Sequence, residues 1–143
     1  MKQLIIQGGK KLFGTINISG SKNASLPILA ATLLVDEKVI LKNIPDVKDI
    51  STMINLLESI GKKIIFLKTR NEIIITSKKN KKLIAPYNLV KTMRAGVLVL
   101  GPLLAKYGQA RVSLPGGCAI GSRPVDLHID MLRKMGAKIK IDK

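Results

Sequence analysis

The side chains best suited to chemistry concentrate in one stretch, Ser113-Leu114-Pro115-Gly116-Gly117-Cys118-Ala119-Ile120-Gly121-Ser122-Arg123-Pro124-Val125-Asp126-Leu127. It holds the chain's one cysteine, set between a Gly-Gly pair and a further glycine. Arg123 follows the cysteine, and Asp126 follows Arg123. Glycines open backbone conformations closed to other residues and let a ligand approach the main chain closely. A thiol near a fixed cation has a lowered pKa and can serve as nucleophile or acid near neutrality. Pro124 suits the first turn of a helix, so Arg123 falls where a helix start helps hold an anion. Against this stands the ordinary fate of a free cysteine, burial as a small hydrophobe. Chemistry alone leaves both readings of Cys118 open.

Two further cations invite the same question. Ser19-Gly20-Ser21-Lys22-Asn23 offers helix caps, then a lysine and an amide at the expected start of a helix. Such a start can hold an anion through its dipole and free N–H groups, or it can be an ordinary capped helix with an exposed lysine. It is not a phosphate loop, because serine separates the glycine from the lysine. Met93-Arg94-Ala95 places an arginine in an otherwise apolar helical run. A ligand carboxylate or phosphate would satisfy it bidentately, and a salt bridge or snorkelling would do so without a ligand. His128 shares a helical face with Val125, Ile129 and Leu132, which predicts a packing residue. The chain has no second histidine or cysteine to complete a metal site around it.

The elements that must position these groups follow from periodicity and punctuation. Residues 3–7 and 11–18 read as two short strands around Gly8-Gly9. A helix is expected over 23–34, apolar nearly all round and therefore buried on most sides, with Pro27 near its first turn. A short strand over 38–42 leads through Asn43-Ile44-Pro45-Asp46 to a second helix. That helix carries Ile50, Met53, Ile54 and Leu57 at helical spacing, and Gly61 stands at its C-cap. Residues 63–67 and 72–76 read as a hairpin joined by 68–71. A long apolar helix over 89–106, bent at Pro102, a strand over 110–113, a helix over 124–135 capped by Gly136, and a strand over 138–142 complete the chain.

The order repeats, and the letters show it. Ile44-Pro45 corresponds to Leu114-Pro115, and Leu57-x-x-Ile60-Gly61-x-Lys63-Ile64 to Leu132-x-x-Met135-Gly136-x-Lys138-Ile139. Each unit reads α-β-α-β-β, the second stopping before its final strand. This predicts an α/β fold of repeated units sharing one core. It also predicts an unpaired edge at 138–142 and a chain that is the N-terminal part of something longer.

Composition bounds the rest. A chain of 143 residues, 46% hydrophobic, can bury a real core as one domain. One cysteine excludes an internal disulfide and fits a reducing compartment. The N-terminal apolar run is too short for a signal peptide, and Ala95–Ala105 is too short to span a membrane. A cytoplasmic chain without membrane contact is expected. The formal net charge of +16 raises anionic partners, nucleic acid among them. With two Phe, two Tyr and no Trp, a stacking platform for single strands is poorly supplied, so no nucleic-acid partner is expected.

Ser19-Gly20-Ser21-Lys22-Asn23-Ala24, Thr92-Met93-Arg94-Ala95, Leu100-Gly101-Pro102-Leu103 and the cysteine stretch through His128 closely resemble the UDP-N-acetylglucosamine 1-carboxyvinyltransferase family. The resemblance runs in order from about Leu4 to Ile141. It implies transfer of the enolpyruvyl group of phosphoenolpyruvate to the 3-hydroxyl of UDP-N-acetylglucosamine, with release of phosphate and no metal or organic cofactor. It implies that Cys118 donates a proton to the phosphoenolpyruvate methylene, can form a covalent adduct, and is the residue alkylated by fosfomycin. By the same resemblance Lys22, Asn23 and Arg123 would bind phosphoenolpyruvate. Arg94 and the segment Arg123, Pro124, Val125, Asp126 and Leu127 would contact the nucleotide sugar.

The implied fold is that of EPSP synthase-like enolpyruvyl transferases, two similar domains of repeated small α/β units with substrates between. Residues 1–18 would then be strands of the second domain. Residues 19–143 would be an incomplete first domain of two units, 19–80 and 86–143. The expected partner is the missing C-terminal part of the same enzyme, which would carry further catalytic groups. A truncated non-catalytic product and a basic nucleic-acid-binding module are the rival readings.

Overall fold

The computed structural model describes residues 3–78, 83–91, 93–113 and 125–141. The first helix, α1 (Lys22–Ala31), begins where Ser21 stays extended and its Oγ accepts from the Ala24 amide at 3.3 Å. This is the N-cap role that serine performs best. Leu26, Leu29 and Ala30 are buried, while Ile28 is 47% exposed, so α1 buries one face and not its whole girth. Pro27 is the sixth residue of α1, one position deeper than a start at residue 23 would place it.

The strand β1 (Val39–Leu41) leads to α2 (Lys48–Ile60), whose Ile50, Met53, Leu56, Leu57 and Ile60 are all buried. Gly61 ends the helix at φ 122°, a conformation that favours glycine, and donates to the Leu57 and Glu58 carbonyls. The hairpin follows as β2 (Lys62–Leu67), a 3-10 turn at Lys68–Arg70, and β3 (Glu72–Ser77). The three strands form an antiparallel sheet in the order β1-β3-β2, with Val39, Ile75 and Ile64 in register. Ile73 and Ile75 face the core. Lys62 is buried, yet its ammonium donates to Val35 O at 2.6 Å and Ser77 Oγ at 2.9 Å. Those bonds repay part of the cost of burying a charge and tie the sheet to the chain leaving α1.

The second unit is built differently from the expectation. A short parallel pair, β4 (Ile84–Ala85) and β5 (Arg111–Val112), frames it. The single helix expected over 89–106 is three pieces: α3 (Tyr87–Val90), a 3-10 segment (Arg94–Val99) and α4 (Leu100–Tyr107). Gly96 and two valines lower helix propensity through the middle piece. Gly96 also packs so tightly that a Cβ there would lie 3.2 Å from Val90 Cα. Pro102 is the third residue of α4, where a missing N–H costs nothing, so it opens that helix and does not bend a longer one. The last helix is α5 (Asp126–Lys134), after which Gly136 donates to Arg133 O at 2.9 Å.

Two predicted regions of strand are not strand. Residues 3–18 are exposed and form no strand, and residues 138–141 form no strand either. A two-stranded ribbon is marginal in water, and a single strand has no partner for its backbone groups. The core is nonetheless one, as repeated units sharing a core require. Leu26, Leu29, Met53, Leu57 and Ile75 of the first unit join Ala85, Val90, Met93, Val99 and Leu103 of the second. The α/β class and the α-β-α-β-β order of the first unit stand as read. No helix among the described residues is long and apolar enough to cross a membrane.

Candidate functional site

The site starts from a glycine. A Cβ on Gly20 would stand 1.7 Å from the Asn43 carbonyl oxygen, so only glycine lets the entrance of α1 lie against the β1–α2 connection. Asn43 itself turns at φ 58°, a conformation asparagine tolerates. This contact brings together the first turns of α1 and α2. Lys22, the first residue of α1, then reaches Asp49, the second residue of α2, at 2.7 Å between Nζ and Oδ2.

A pocket of about 380 Å³ opens at this junction. Lys22 and Asn23 line it from α1, Asp49 from α2, Arg94 from the first position of the 3-10 segment, and His128 from the third position of α5. Leu26, Met93 and Leu98 supply apolar wall. The polar lining thus comes from the first turns of three helices and of a 3-10 segment. Helix starts carry unpaired N–H groups and the positive end of the dipole, and here they are joined by an ammonium and a guanidinium. Such an arrangement suits a small, multiply charged anion. Among the described residues, no group of three or more His, Cys, Asp or Glu stands together as a metal site would require.

Of the residues singled out from sequence, Lys22, Asn23 and Arg94 meet in this pocket. Val125 is half-buried just before α5, while Asp126 and Leu127, its first two residues, are exposed and do not line the pocket. Cys118, Arg123 and Pro124 lie outside the described residues. His128 corrects its reading as a packing residue, for it is exposed and lines the pocket. The buried residue of α5 is Ile129. The correspondence of Leu57 with Leu132 sets His128 opposite the buried Met53, but among the described residues no sheet covers α5 as one covers α2. Asp49 was missed altogether. Its one signal was an acid in the first turn of a helix, and nothing in the letters ties it to a lysine in the helix before.

Comparison with known proteins places this geometry in context. The family model for EPSP synthase (3-phosphoshikimate 1-carboxyvinyltransferase) matches residues 6–143. A UDP-N-acetylglucosamine 1-carboxyvinyltransferase of Pelagibacter ubique (strain HTCC1062) is 62% identical over 141 residues, covering 99% of this chain and 33% of the relative. The protein of the same name from Coxiella burnetii (strain Dugway 5J108-111) is 57% identical, with 99% of this chain and 32% of the relative covered. The crystal structure of the enolpyruvyl transferase NikO from Streptomyces tendae superposes with a TM-score of 0.74 at 19% identity, over 95% of this chain and 29% of that one. The likeness to NikO is one of fold. The chain spans about a third of the length of the curated relatives it matches.

Proposed function

This chain belongs to the EPSP synthase family, and on that premise we propose that it forms part of a transferase acting on phosphoenolpyruvate and UDP-N-acetylglucosamine. The reaction would move the enolpyruvyl group to the 3-hydroxyl of the sugar and release phosphate, a step of peptidoglycan synthesis. The observation that carries this reading is the meeting of Lys22, Asn23 and Arg94 at converging helix starts. The relatives' names supply the acceptor, since both are UDP-N-acetylglucosamine 1-carboxyvinyltransferases.

In this reading Lys22 and Asn23, with Arg123, hold phosphoenolpyruvate. Arg94 and the segment Arg123, Pro124, Val125, Asp126 and Leu127 hold the nucleotide sugar. Cys118 protonates the methylene carbon of phosphoenolpyruvate. Protonation leaves positive character on the neighbouring carbon, which the sugar hydroxyl attacks as it gives up its proton to a base; loss of phosphate and of one proton from the new methyl group then restores the carbon–carbon double bond. Fixed cations keep the anionic reactants in line while the thiol supplies its proton. Residues 3–18 expose Leu4, Ile5, Ile6, Leu12, Phe13, Ile16 and Ile18, each at least 80% accessible. We assign them to the sheet of a second domain, as strands that pair only there. Residues 19–143 then form two units of the first domain.

The test is phosphate release from phosphoenolpyruvate that depends on UDP-N-acetylglucosamine, measured on the full-length gene product. Cys118→Ala should lower turnover by about a hundredfold or more while nucleotide-sugar binding persists. Wild-type turnover in that variant would remove Cys118 from the chemistry.

A further inference from the structure

Asp49 stands oddly in a pocket suited to anions, being the one carboxylate among the described residues that line it. Its carboxylate lies 2.7 Å from the Lys22 ammonium, and both side chains are partly exposed, at 38% and 47%. An ion pair that exposed adds little to folding stability, and a negative charge beside a bound phosphate opposes binding. Neither stability nor affinity explains it. Its backbone setting is independent of the lysine, because the first turn of α2 favours a carboxylate through the helix dipole.

We infer that Asp49 is a positioning residue, which holds the Lys22 ammonium in the orientation that meets the phosphate of phosphoenolpyruvate. The inference rests on the transferase reading above. Lysine carries a point charge on a flexible stem, and ordering that stem costs entropy at the moment of binding. The 2.7 Å contact orders it beforehand. An ammonium has three N–H donors. One donated to Asp49 leaves two for phosphate oxygens, with their directions set. Asp49 thus trades some ground-state affinity for alignment, and alignment is what the transition state uses.

Asp49→Asn and Asp49→Glu in the full-length gene product test this by steady-state kinetics with phosphoenolpyruvate and UDP-N-acetylglucosamine. Asp49→Asn removes the opposing charge and leaves only a neutral amide oxygen to accept from Lys22, which weakens the hold. It should lower kcat by about tenfold while KM for phosphoenolpyruvate stays level or falls. Asp49→Glu keeps the charge and should recover most of kcat. Unchanged kcat and KM in Asp49→Asn, with active wild type, would overturn the role of Asp49 and leave the transferase reading intact. Loss of kcat with a raised KM and a lowered melting temperature, unrelieved by Asp49→Glu, would also overturn it, since that marks a structural residue. Wild type without acceptor-dependent phosphate release would overturn the transferase reading, and this inference with it.

Discussion

The helix-glycine-strand stretch occurs twice, and the two copies part company at one point. In the first, α2 ends at Gly61 with φ 122°, and β2 follows in a three-stranded sheet. In the second, α5 ends before Gly136 with φ 95°, and residues 138–141 form no strand. Ile60 is 3% exposed, and its counterpart Met135 is 75% exposed. The helix stop needs only its own turn and a glycine, so it survives copying. The strand needs β3, a partner from farther along the chain, and the second copy has none within the described residues. Without a sheet above it, the face of α5 that Met135 continues stays in water.

The sharpest way to break this contrast is through glycines. Gly20→Ala drives a methyl group into the Asn43 carbonyl, and backbone must move. Urea unfolding should show a loss of about 4 kcal/mol, in the range reserved for severe core disruption. Gly101→Ala, in α4 of the second unit, meets nothing within 4 Å and should change stability by no more than about 0.5 kcal/mol, since exposed helical Gly→Ala is neutral or favourable. Equal losses would mean that the two units are equally closed and that the contrast is not one of packing.

Matched apolar positions give a smaller and more direct comparison. Ile60→Ala leaves a cavity under the first sheet and should cost about 3 kcal/mol. Met135→Ala should stay within about 0.5 kcal/mol, as exposed substitutions do. A Met135 loss approaching that of Ile60 would show that α5 is covered in solution by something it lacks here.

What was legible in the letters divides along the same line. Helical spacing through Ile50, Met53 and Leu57, the glycine stops, a cap within residues 19–23 and the hairpin of 63–67 and 72–76 were all readable, because each is decided within a few residues. The strands over 3–18 and 138–141, and the continuity of 89–106, were misread because partners and close approaches decide them. Gly96 against Val90 is such an approach. The site followed suit. Lys22 and Arg94 were suspected as cations out of place, but Asp49 and His128 enter it only through tertiary geometry.

The smallest predicted effect lies at the joint that closes the first unit. Asn71 sits at φ 50° and ψ 41° after the 3-10 turn, donates to Lys68 O at 3.1 Å, and accepts at its own carbonyl from Ile44 N at 2.8 Å. Asparagine visits this left-handed region with less strain than other side chains, and glycine visits it with least. Asn71→Ala should therefore cost about 1 kcal/mol, and Asn71→Gly no more than about 0.5 kcal/mol, both read from urea midpoints. Ile44 follows Asn43, whose carbonyl presses on Gly20, so the hairpin tip is one link from the entrance of α1 and two from Lys22. A cost for Asn71→Ala as large as for Ile60→Ala would mean that this joint, more than the apolar core, holds the first unit closed.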